Sequence, residues 1–179
     1  MFVYAATLYP GGSQANPDSV GYDWINNYWC NLMNPVAMNG MINPAQPIAI
    51  LGNITLTMTI SFFFYSYGQS PYARGYWKII IPWAGFVSMI MAGFLFTSYH
   101  DVVSVISGFF GVIALTGVFS GLIQAGSRLL LYSGFIVLAF IAINNLIYFS
   151  GFGIRILPVL QKVTLLIIFI WVLKVHWAK

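Results

Sequence analysis

Residues 156–175 read ILPVLQKVTLLIIFIWVLKV, an apolar run long enough to cross a bilayer and interrupted by the polar pair Gln161 and Lys162. An ammonium held at depth in hydrocarbon costs at least about 2.5–3.5 kcal/mol on insertion scales, so such a residue faces a bundle interior or a wet cavity. The rest of the chain is therefore expected to supply helices that surround this amine. A purely structural alternative also stands, in which the four-carbon stem of Lys162 snorkels to the interface.

The composition agrees with that reading. Of 179 residues, 60% are hydrophobic and only 6% are charged, a balance outside the range of soluble domains of this size. The formal charge of +4 comes from seven Lys and Arg scattered over loops and helix ends. No basic cluster suited to nucleic acid occurs, so that class of partner is excluded and the basic residues report topology instead. Cys30 is the only cysteine, which rules out an internal disulfide. Nothing in the sequence calls for a cofactor.

Four more apolar runs precede residues 156–175: Pro47 to Tyr67, Trp77 to Tyr99, Val102 to Ile123 and Leu129 to Phe149. The expected fold is an all-α integral membrane protein, an antiparallel bundle of five full spans joined by short connections. Pro47, Pro82 and Pro158 are placed in first turns, where proline is tolerated. Residues 1–9, MFVYAATLY, are apolar but short, and are expected to be the end of a first span that is short or truncated. Residues 10–46 are rich in Gly, Pro and Asn and hold no Lys or Arg; they are expected to form a cap loop. Within the loop, the spacing of Tyr22, Trp24, Ile25, Tyr28, Trp29 and Leu32 predicts a short amphipathic helix on the membrane surface. Headgroup anchoring is the plainer account of these aromatics. The whole chain is read as one membrane domain.

With alternating spans, Arg74, Lys78, Arg128, Lys174 and Lys179 fall on one side and Arg155 on the other. The positive-inside rule then puts the cap loop outside the cytoplasm and the C-terminus within it. At about 1.5 Å of rise per residue, Lys162, Asn53, Asn144 and Asn145 all lie roughly 6–9 Å below the same outer face. Polar groups in lipid must find partners, so these residues, with Gln161, are expected to form a ligand-binding polar layer in the outer leaflet. Single asparagines that simply bridge helices are the structural alternative. Asp101 is the expected counter-charge for Lys162, with Arg155 competing for it.

Ser104, Ser107, Gly108, Gly111 and the GVFSG at 117–121 set small residues at three- and four-residue spacing, a pattern for close helix packing. His100 and Asp101 are the one adjacent imidazole and acid, and so the candidates for general acid–base catalysis. No nucleophile elbow surrounds the nearby serines, and a metal would need more ligands than this pair offers. Asp101 could equally cap the helix that follows it.

Taken in order, YPGGS (9–13), NYWCNL (27–32), Asn43–Pro44, YHD (99–101) and Gln161–Lys162 resemble a family of bacterial membrane proteins grouped as domain of unknown function nine-nine-eight. The resemblance extends over nearly the whole chain and implies a six-helix bundle with a long exoplasmic first loop in a bacterial inner membrane. This chain departs from it in lacking most of a first helix. The family carries no activity that could be transferred. Two functions therefore stand as expectations. One is a non-enzymatic protein whose outer-leaflet pocket binds a lipid or another amphiphile, or docks a partner subunit. The other is an integral-membrane enzyme acting on lipid headgroups, in which His100, Asp101 and Lys162 would have to converge.

Overall fold

A computed structural model describes residues 1–178; Lys179, one of the residues assigned above to the basic side, lies outside the described residues. In chain order the elements are α1 (Phe2–Leu8), a 3₁₀ turn (Trp29–Met33), α2 (Gln46–Gly68), α3 (Trp77–Gly93), α4 (His100–Gln124), α5 (Arg128–Ser150), a second 3₁₀ turn (Ile154–Ile156) and α6 (Leu157–Trp177). The described residues form an all-α fold without strands; two isolated bridges, Gly11 with Val20 and Val36 with Ile42, occur in the loop between α1 and α2. Helices α2, α4 and α5, and α6 together with its leading 3₁₀ turn, are long and apolar enough to cross a membrane, as a multi-pass protein requires.

Helix α3 differs from its expected extent. It stops at Gly93, and residues 94–99 run in turns. Gly93 is a poor helix former, and the Thr97 hydroxyl donates to the Phe94 carbonyl at 2.8 Å, offering the backbone an alternative to the helical ladder. Pro82 lies inside α3 rather than in its first turn. Its missing N–H leaves the Lys78 carbonyl without its usual helical donor.

The chain divides into two units, and the first comprises Met1–Asn53 and Ala139–Ile167. Here the 10–46 loop is a folded cap rather than a surface helix; of the predicted amphipathic helix only the 3₁₀ turn exists. Side-chain amides tie it together. The Asn43 amide donates to the carbonyls of Leu32 (3.0 Å) and Asn34 (2.8 Å), while its oxygen accepts from the Ala45 N–H at 3.0 Å. Gln46 donates to the Met33 carbonyl at 3.2 Å. The YPGGS turn has a steric cause: Gly12 sits at φ +83°, and a Cβ there would collide with the backbone of Met38 and Asn39.

The second unit comprises Ile54–Leu138 and the residues from Ile168 onward. Its core is where small residues of α4 admit large neighbours. A Cβ on Gly117 would lie 2.5 Å from both Ile81 and Trp77, and one on Gly121 would lie 2.6 Å from the Tyr67 hydroxyl. Tyr67 is fully buried and donates to the Val118 carbonyl at 2.9 Å. Ser88 donates to the Ser107 carbonyl at 2.8 Å. Most of the small-residue stripe therefore serves packing within the chain, whereas Gly108 faces open space. Trp171 anchors the other side, donating to the Leu130 carbonyl at 2.9 Å and packing on Phe119. Helix α4 ends in a Schellman turn: Ser127 N–H bonds the Leu122 carbonyl and Gly126 N–H that of Ile123, with Gly126 at φ +69°.

These contacts set a paired expectation. Gly117→Ala should destabilise the protein by about 1–3 kcal/mol, because Ile81 and Trp77 must shift to admit the methyl group. Gly108→Ala should be neutral or mildly stabilising through helix propensity. Thermal unfolding of both variants in the same detergent reads the difference.

Candidate functional site

Within the first unit, the pair that interrupts residues 156–175 meets the cap. Lys162 Nζ donates to the Asn27 carbonyl at 2.5 Å and to the Pro158 carbonyl, one turn back on its own helix, at 3.0 Å. The same nitrogen lies 5.5 Å from the centre of the Tyr22 ring and 5.7 Å from that of Trp29. Beside it, the Gln161 side-chain oxygen accepts the Trp29 N–H at 3.3 Å. Charge-assisted hydrogen bonds contribute about 1.5–3 kcal/mol each, so two of them suffice to offset the cost of placing the amine in a span. The two aromatic faces add about 0.5–2 kcal/mol apiece.

The cap is shaped to present that carbonyl. Asn27 is fully buried; its amide donates to the Gly12 carbonyl at 2.9 Å, and its side-chain oxygen accepts the Asp23 N–H at 2.9 Å. With its side chain fixed on the YPGGS turn, Asn27 directs its own backbone carbonyl to two donors, the Tyr22 hydroxyl at 3.1 Å and Lys162. Burial pushes the Tyr22 phenol well above its usual pKa and keeps it a neutral donor. Tyr22 stacks on Trp29 with centres 5.8 Å apart, and meets Trp24 and Tyr9 edge to face. Of this cluster, Tyr22 and Trp29 flank the ammonium and Trp24 lies at its exposed edge.

The counter-charge is not the one expected from sequence. Lys162 makes its bonds to carbonyl oxygens, and the carboxylate whose field reaches it is Asp23 of the cap. Asp101 instead pairs with its neighbour His100, at 3.2 Å, and lies inside the first turn of α4 rather than at its cap position. Asp101 there still complements the helix dipole. The His100 and Asp101 side chains are 33% and 66% exposed, respectively, so the pair is not enclosed by the protein. Among the described residues no group of three His, Cys, Asp or Glu could hold a metal ion.

The asparagines expected at the height of Lys162 have other partners. Asn144 donates to Thr164 Oγ1 at 2.6 Å, joining α5 to α6, and to the Phe140 carbonyl at 2.8 Å. Asn145 is exposed and donates to the Ile141 carbonyl of its own helix at 2.9 Å. Asn53 is buried at 5% exposure. Asn144 and Asn145 each bond back to the carbonyl four residues earlier, an outlet open to any amide on a helix. The partners that sequence reasoning missed, Tyr22, Asn27 and Trp29, lie more than a hundred residues away in the loop; Asp23 beside them was the one signal that could have marked it for a cation.

A groove adjoins this contact. Ile25 of the cap and Arg155, Ile156, Val159, Leu160 and Val163 at the start of α6 line a cavity of about 330 Å³. That volume lies at the small end of ligand pockets.

Replacing Lys162 with Met should release the cap while leaving the helices assembled. Hydrogen exchange at amides 22–31 should accelerate about tenfold or more, the equivalent of the 1–3 kcal/mol lost when a buried acceptor loses its donor. Asp23 supplies a pH test. Its carboxylate accepts from the Asn26 amide at 2.8 Å, the main cause of a pKa below the usual value. A depressed carboxylate contributes stability that is fully present above the ordinary value of 3.8 and is lost as pH falls through the lower folded value. Cap protection measured by exchange should therefore drop in acid, and Asp23→Asn should flatten that dependence. No family model, curated protein or solved structure matches this chain.

Proposed function

We propose that this chain is a non-enzymatic, multi-pass membrane protein that binds an amphiphile where the cap meets the start of α6. The observation that carries this reading is the junction itself. Lys162 and Gln161 hold the cap on α6, and the held cap contributes Ile25 as a wall of an apolar groove whose other walls belong to α6. In this reading Lys162 is a latch rather than an anchor for an anionic head, because two carbonyl oxygens of the protein take two of its three N–H donors and the Tyr22 and Trp29 rings flank it.

The basic residues support a cap outside the cytoplasm and a cytoplasmic C-terminus, and the resemblance noted above supports a bacterial inner membrane and a six-helix plan. Exposed apolar residues of the cap, Val20 at 95% and Ile42 at 85%, favour a second reading in which a partner subunit docks there. The headgroup-enzyme alternative asks Lys162 to join His100 and Asp101, whereas the bonds of the amine go to Asn27 and Pro158.

Native mass spectrometry of the gently extracted protein provides the test. The wild type should carry bound lipid, and Lys162→Met, its cap released, should lose most of it. Equal retention by the two proteins would overturn the reading.

A further inference from the structure

We infer that the groove beside the latch selects an anionic lipid, seating one acyl chain against Ile25, Ile156, Val159 and Val163 and holding the headgroup phosphate on Arg155. This deepens the amphiphile reading above and rests on it. The groove walls are aliphatic apart from one residue, and that residue is a cation. Arg155 is exposed and, among the described residues, makes no ion pair and no side-chain hydrogen bond. Its planar fork of donors suits phosphate.

The charges around the groove leave Arg155 as the one that a ligand would meet. Asp23, two residues before Ile25, could repel an anion. Its carboxylate, however, is engaged by the Asn26 side chain and by the N–H groups of Ile25 and Asn26, and the field of Lys162 opposes it. The 10–46 cap has no Lys or Arg to compete for the headgroup. Arg155 also stands in the 3₁₀ turn that leads into α6, at one end of a helix long enough to span. A lipid with its chain along Val159 and Val163 would thus present its phosphate at the depth where headgroups lie. This geometry accounts for the lone basic residue that breaks the one-sided charge pattern of the sequence.

The test uses the full chain in mixed vesicles containing equal amounts of phosphatidylglycerol and phosphatidylcholine, followed by native mass spectrometry of the retained lipid. The wild type should retain the anionic lipid about fivefold over the zwitterionic one, the size expected of one exposed charge contact. Arg155→Gln should abolish the preference while total lipid is kept, Arg155→Lys should restore part of it, and Val159→Trp should exclude both lipids by filling the groove. Glycerol phosphate, the same head without a chain, should not displace the lipid. A wild type with no preference, or an Arg155→Gln variant that keeps it, overturns the anionic assignment. If Val159→Trp still removes lipid in that case, the amphiphile reading survives by itself. A wild type that retains no lipid overturns both.

Discussion

A cation inside a span must be matched by something, and here the match is a backbone carbonyl delivered by a loop. The Asn27 oxygen is fixed by the grip of its own side chain on the Gly12 turn, so the acceptor is in place without a carboxylate at depth. An opposing carboxylate would itself require desolvation, at a cost that can exceed the Coulombic gain. A carbonyl accepts two donors and stays neutral, and Tyr22 and Lys162 use both positions. The aromatic faces complete the shell without another hydrogen bond. From this one contact follow the seating of the cap, the packing of its tryptophans and the groove wall at Ile25.

The helical character was legible because runs of apolar residues with internally bonded backbone are what a bilayer permits. The limits of α2, α4, α5 and α6 fall within a residue or two of the apolar runs, since turn chemistry such as the QAGSR stretch after α4 marks them. Helix α3 was overextended because hydropathy does not register Gly93 or the hydroxyl of Thr97. In the site, Gln161 and Lys162 were identifiable from their cost in hydrocarbon. Their partners were not, because periodicity describes one helix at a time and gives no hint of where a loop returns. Depth arithmetic for Asn144 and Asn145 gives height along an axis but not direction around it, and of the two it is Asn144 that reaches across to α6.

Of the stretches that carried the family resemblance, all but YHD (99–101) lie in the first unit. YPGGS supplies the turn that only glycine can make, NYWCNL supplies Asn27 and Trp29, and Gln161–Lys162 receives them. Such residues look like binding chemistry in sequence, and in the structure their hydrogen bonds go largely to one another. Arg155, which the charge pattern set aside as an exception, makes no such bond among the described residues.

The early stop of α3 has a consequence for the surrounding lipid. Its 17 residues extend about 25 Å, a few ångströms less than the hydrocarbon of an average bilayer. Were α3 to cross, the lipid beside it would have to thin or Trp77 and Lys78 would have to reach outward, at fractions of a kcal/mol per ångström of mismatch. Such a local depression would draw in shorter-chain lipids and bias the protein toward thinner membranes or thinner regions of one membrane.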